Sequence, residues 1–88
     1  MDKNSQKYVD ELISVLSNIA SKKEMSEFLE GLLTPRELLE IPTRLQIVKM
    51  LRQGVPQREI AEKLGVGIAT VSRGSAELKR GKFQKITR

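Results

Sequence analysis

The side chains best suited to recognising a partner lie close together in the second half of this 88-residue chain. Ile68, Ala69, Thr70 and Ser72 are apolar or hydroxyl-bearing, and a helix is expected to begin at Gly67 or Ile68. Apolar side chains contact thymine methyls, while hydroxyls bond base edges or phosphates, directly or through water. Such residues in the first turns of a helix suit entry into a DNA major groove, and Gly67 is expected to contact DNA with them.

The spacing of three residues predicts how this helix is held. Ala61 is small where two helices must cross, Gly65 can take a left-handed turn, and Val71 can pack the second helix onto the first. Together they indicate a helix-turn-helix over residues 56–80.

Phosphate contacts are expected at both ends of this helix pair. Gln57 and Arg58 open its first helix, and Lys79 lies near the end of its second. The tip of the second helix has no Asn, Gln or Arg for a bidentate base contact, so we expect readout to depend on water and DNA shape.

The residue types exclude most catalytic chemistry. The chain has neither cysteine nor histidine, which leaves only carboxylates, lysines and hydroxyls as candidate nucleophiles, general bases and metal ligands. We therefore expect no enzyme, no catalytic residue, no metal site and no cofactor.

Charge is distributed unevenly along the chain. Residues 1–43 carry five Lys/Arg against eight Asp/Glu, residues 44–78 carry six against three, and residues 79–88 carry five against none. A basic C-terminal half suits a polyanion, although a short basic tail can also be merely solvated.

Helical periodicity and capping signals predict an all-α fold of about six short helices, with Pro42 separating the third from the fourth. We expect a single domain over residues 1–81 and a basic tail over 82–88. The apolar stripe within residues 5–20 either covers its own core or packs against a second copy, and a homodimer is the preferred interpretation. No leader or bilayer-spanning run is evident, so a cytoplasmic protein is expected, associated with the nucleoid when bound to DNA.

Gly74 stands in the middle of a predicted helix, where glycine costs about 1 kcal/mol relative to alanine. Either another helix packs closely there, or a flat ligand lies against the backbone with Arg73 holding an anionic group. The residues alone leave both explanations open.

The sequence GIATVSRGS at positions 67–75 resembles the tryptophan operon repressor family closely. The pattern continues upstream through Leu33-Thr34-Pro35 and Thr43-Arg44, so the resemblance covers about residues 32–80. It implies an intertwined all-helical homodimer that binds L-tryptophan as corepressor and then a palindromic operator of tryptophan biosynthesis or transport genes. Docking of such a helix-turn-helix and water-mediated readout are known for this family itself.

The resemblance also implies the ligand-binding residues. Arg44 and Arg73 would sandwich the indole ring, and Arg73 would also meet the carboxylate. The other expected ligand residues are Leu32, Leu33, Thr34, Gly74 and Glu77. Without the resemblance, Arg44 would be interpreted as a solvated helix charge and Thr34 as a plain N-cap.

The sequence departs from the family pattern at Glu77, where a serine is expected, and the family's last helix is largely absent after Gly81. Glu77 leaves open a regulator with the same scaffold but a different effector, or none. A third hypothesis is a helical interaction module whose basic end binds acidic proteins.

Overall fold

The computed structural model describes residues 2–86, which form five helices and no strand. The helices are α1 (Lys3–Asn18), α2 (Lys22–Leu32), α3 (Pro35–Arg52), α4 (Gln57–Leu64) and α5 (Ile68–Lys79). The all-α prediction is confirmed. None of the described helices is long and apolar enough to cross a membrane.

The predicted separation of two helices at Pro42 is wrong, because α3 runs through this residue. A proline removes one helical N–H donor, which makes it a probable helix boundary but not a certain one. Next to the backbone hydrogen bond that Pro42 cannot make, the Thr43 hydroxyl donates a hydrogen bond to the carbonyl oxygen of Leu39 at 2.7 Å. Further along α3, burial of Ile47 and Val48 stabilises the helix beyond the proline.

Side-chain caps start the helices where the sequence predicts them. Ser21 accepts a hydrogen bond from the backbone N–H of Glu24 at 3.0 Å, at the start of α2. At the start of α3, the Thr34 hydroxyl accepts from the Glu37 N–H at 3.2 Å, and the Glu37 carboxylate accepts from the Thr34 N–H at 2.9 Å. This reciprocal pair is a complete capping box. The bond from the Thr34 backbone holds the pKa of Glu37 below its ordinary value.

The chain divides into two compact parts, and the first extends to Leu38. Its helices α1 and α2 are amphipathic, yet neither contains a buried residue. Large apolar side chains of α1 remain in contact with solvent, among them Tyr8 and Ile13. This division does not test the single-domain expectation, which stays a prediction.

The second compact part begins at Leu39 and contains the core. Ile47 of α3, Ile60 of α4 and Val71 of α5 form one buried cluster, with exposures of 1%, 0% and 0%. Three helices therefore meet around three aliphatic side chains.

The turn between α4 and α5 contains the left-handed glycine that the sequence predicts. Gly65 ends α4 in the left-handed conformation with φ 65° and ψ 37°, which costs glycine no Cβ clash. The N–H groups of Gly65 and Val66 both donate to the carbonyl oxygen of Ala61. Gly67 is extended and precedes α5 as its N-cap.

The residues after α5 are folded into turns. Gly81 has a φ of 89°, and its N–H donates to the carbonyl oxygen of Leu78 at 3.1 Å. Phe83 follows with a φ of 64°, and its carbonyl oxygen accepts from the Ile86 N–H at 3.1 Å. Positions 87 and 88 of the predicted tail lie outside the described residues.

The core predicts different outcomes for two isoleucines. Ile60→Ala removes a fully buried side chain and should lower the free energy of unfolding by about 2–5 kcal/mol. Ile68→Ala is the matched control, since Ile68 is 51% exposed, and we expect a change within about 0.5 kcal/mol. Urea denaturation followed by circular dichroism, at one protein concentration, measures both. Equal losses would contradict the described core.

Candidate functional site

The first turn of α5 presents the residues that the sequence assigns to DNA. Ile68, Ala69, Thr70 and Ser72 are all exposed, as is Gly67 before them. Thr70 is tied to this turn, because its N–H donates to the carbonyl oxygen of Gly67 at 3.1 Å. These small side chains form a surface that another molecule's backbone or groove can approach closely.

Ser72 and Gln57, each predicted to contact DNA, form a hydrogen bond with each other. The Ser72 hydroxyl donates to Oε1 of Gln57 at 2.8 Å, joining α5 to the start of α4. Because Oε1 accepts this bond, the amide nitrogen of Gln57 keeps its donors for another acceptor. Ser72 therefore has a positioning role that the sequence did not indicate.

The cations predicted for phosphate contact lie on the same two helices. Arg58 belongs to the first turn of α4 and Lys79 is the last residue of α5, and both are exposed. Exposed guanidinium and ammonium groups near a helix end suit contacts with a phosphate backbone.

A cleft of about 960 Å³ opens between α3 and α5. It brings together four of the predicted ligand residues: Arg44 from α3, with Arg73, Gly74 and Glu77 from α5. The other three predicted ligand residues, Leu32, Leu33 and Thr34, lie in the first compact part.

The first turn of α5, to which the sequence assigns DNA contacts, borders the same cleft. Ala69 and Thr70 line it together with both arginines, since positions 69, 70 and 73 lie within one turn of α5. A molecule seated in this cleft would contact the first turn of α5 directly.

Gly74 answers the question that the sequence left open. A Cβ built on this residue would lie 3.2 Å from Cγ2 of Ile47 and 3.6 Å from Cδ1 of Leu51, both on α3. The first distance is tighter than ordinary van der Waals contact, so close helix packing accounts for the glycine. Gly74 also lines the cleft, which makes the two explanations compatible.

Glu77 is already paired within its own helix end. Its carboxylate accepts from Nη1 of Arg80 at 3.1 Å, and the side chain is 32% exposed. Such a solvated pair stabilises the fold by at most about 1 kcal/mol, but it places a positive charge beside the only carboxylate that lines the described cleft.

Thr34 has the structural role that its position suggests, since it belongs to the capping box with Glu37. After the backbone bond, a side-chain hydrogen bond from Thr34 also lowers the pKa of Glu37, so the Thr34 hydroxyl donates to that carboxylate. Leu32 and Leu33 end α2, where the last carbonyl groups of a helix lack helical donors and attract cations.

Two cleft residues escaped sequence reasoning. Lys82 and Phe83 line the cleft, although the sequence places them in a basic tail suited to a polyanion. Gly81 signals a chain reversal, but nothing in the pattern states where the reversed segment packs.

The chain is similar in sequence to proteins of one known family. The family model described as "Trp repressor protein" matches residues 7–86. A Trp operon repressor homolog from Aliivibrio salmonicida is 40% identical over 78 residues, which cover 85% of this chain and 72% of the relative. A homolog of the same name from Actinobacillus succinogenes is 44% identical over 68 residues, covering 76% of this chain and 67% of the relative. No solved structure gives a significant match.

The packing of Gly74 predicts opposite results for two helical glycines. In Gly74→Ala, a gain in helix propensity of about 1 kcal/mol is outweighed by overpacking against buried Ile47, which typically costs about 1–3 kcal/mol. Gly31→Ala is the control, since a Cβ there meets nothing within 4 Å. We expect the free energy of unfolding to fall for Gly74→Ala and to rise for Gly31→Ala. A gain for both would contradict close packing at Gly74.

Proposed function

The chain belongs to the Trp repressor family, and we propose that it is a homodimeric repressor that binds a palindromic operator when L-tryptophan occupies the cleft. The family is one of regulators, not of enzymes. The expected targets are genes of tryptophan biosynthesis or transport. The observation that carries the proposal is that Ala69 and Thr70 line the same cleft as Arg44 and Arg73.

On the DNA side, α4 and α5 would act as a helix-turn-helix with α5 in the major groove. Ala69 and the Thr70 methyl would contact thymine methyls, and hydroxyl groups would bond bases directly or through water, as described for this family. Gln57, Arg58 and Lys79 would contact phosphates. The absence of a bidentate base reader in the first turn of α5 gives DNA shape a large share of the specificity.

On the ligand side, the planar guanidinium groups of Arg44 and Arg73 would stack on the two faces of the indole ring, a geometry that lysine does not provide. Arg73 would also bind the carboxylate. Thr34 and the carbonyl groups of Leu32 and Leu33, supplied by a second chain, would receive the polar ends of the amino acid.

Dimerisation would cover apolar surface that α1 and α2 leave in water. Neither helix has a buried residue, while Tyr8 is 69% exposed and Ile13 is 54% exposed. A contiguous apolar face of this kind is typical of an interaction site. In a symmetric pair, two copies of α5 would meet successive major grooves, roughly 34 Å apart.

Glu77 favours a second candidate, a repressor of the same scaffold with a different effector. Its carboxylate lines the cleft and would accept a hydrogen bond from an ammonium more strongly than a serine does. The same charge would oppose a ligand carboxylate unless Arg80 offsets it. Titration with L-tryptophan separates the two candidates.

Two arginine variants test the assignment of one function to each surface. Arg73→Ala removes the guanidinium group that stacks on the indole ring and binds the carboxylate. The affinity for L-tryptophan should therefore fall by at least about tenfold, the effect of losing roughly 1.4 kcal/mol. Arg58→Ala should leave that affinity unchanged and weaken DNA binding with a shallower salt dependence, because one phosphate contact is lost. Calorimetry measures the first and DNA retardation the second.

An Arg73→Ala protein that binds L-tryptophan as the unaltered protein does would overturn the ligand assignment. A DNA affinity that changes neither with salt concentration nor in Arg58→Ala would overturn the DNA assignment and favour a protein-interaction module.

A further inference from the structure

The segment that follows α5 lines the cleft and is held there by two hydrogen bonds to its backbone. The Lys82 N–H donates to the carbonyl oxygen of Glu77 at 3.2 Å. Nη1 of Arg52, from the end of α3, donates to the carbonyl oxygen of Phe83 at 3.5 Å. The segment is therefore tied both to α5 and to α3, the two helices that form the cleft.

Phe83 has a backbone conformation that a residue with a Cβ rarely adopts. Its φ of 64° is the only positive value among the described non-glycine residues. Such a conformation persists where the surrounding structure imposes it, and it often marks a ligand site. The Phe83 side chain lines the cleft and is 40% exposed, so part of its ring surface is free to contact a ligand.

Lys82 changes the charge of the cleft. With Arg44 and Arg73, it gives the described lining three cations against the single carboxylate of Glu77. That carboxylate is already paired with Arg80 at 3.1 Å. The cleft is therefore complementary to an anionic group placed beside an apolar ring.

We infer that Lys82 and Phe83 form a third wall of the ligand cleft, and that this wall selects a planar aromatic molecule bearing a carboxylate. Phe83 contacts the ring, and Lys82 attracts the carboxylate and compensates for Glu77. The inference rests on the proposed function for the existence of a ligand site and adds two specificity-determining residues to it.

The fluorescence of L-tryptophan itself reports binding, because the chain has no tryptophan and therefore contributes no indole emission of its own. Phe83→Gly removes the ring but suits the positive φ, so the fold is retained and a melting curve verifies this. We expect its affinity for L-tryptophan to fall about fivefold, in line with the loss of one aromatic contact. Phe83→Tyr keeps the aromatic ring and should bind L-tryptophan with the affinity of the unaltered protein.

Lys82 is tested by the preference for L-tryptophan over L-tryptophan amide, which lacks the carboxylate. Lys82→Met should lower this preference about threefold, as expected for a partly solvated ion pair. Lys85→Met is the matched control, since Lys85 carries the same charge but does not line the cleft. It should leave the preference unchanged.

Unchanged affinity in Phe83→Gly together with an unchanged preference in Lys82→Met would overturn the inference, while the proposed function would stand if the unaltered protein binds L-tryptophan. If L-tryptophan fails and L-phenylalanine or L-tyrosine binds, the corepressor assignment fails; weaker binding of that ligand to Phe83→Gly then supports the inference, and equal binding overturns it. Failure of all three aromatic amino acids would overturn both.

Discussion

The packing of Val71 against Ile60 and Ile47 determines what α5 can do. Val71 is fully buried, so one face of α5 packs against the core. This packing fixes the directions in which the other side chains of α5 point. Gly74 lies on the next turn of the same face, where the backbone meets Ile47. The remaining positions must therefore divide between the cleft and the outer surface.

Under the proposed function, that division gives one helix two recognition tasks. Arg73 and Glu77 face the cleft with Ala69 and Thr70, while Ile68 and Ser72 are exposed. Since Ala69 and Thr70 border both surfaces, ligand and DNA would contact adjoining atoms of α5. Coupling of this kind is reciprocal: whatever factor the ligand adds to DNA affinity, DNA adds to ligand affinity.

Local backbone chemistry was readable from the sequence. Gly65 has the left-handed turn that its position between two apolar helices requires, and Thr34 with Glu37 forms the capping box that their spacing indicates. These features depend on residues within a few positions of one another. The convergence of Arg44 with Arg73 came from a family pattern, because no local rule relates residues on different helices.

The features that sequence reasoning missed all depend on tertiary contacts. Pro42 lies within a helix that continues to buried Ile47, and the Ser72 hydroxyl bonds to Gln57 fifteen positions away. Phe83 lies in a segment that the sequence identifies only as a basic tail, yet its position depends on a turn and on Arg52. In each case a partner distant along the chain contributes, and for Pro42 it is the burial of Ile47 against Ile60 and Val71.

The central claim is that the helix that reads DNA also senses the ligand. The most direct test selects DNA fragments from a random-sequence pool with the protein and L-tryptophan, then measures affinity for those fragments with and without the amino acid at one salt concentration. The account predicts binding at least about fivefold tighter with L-tryptophan, the lower end of typical allosteric coupling. Equal affinity in both conditions would contradict it.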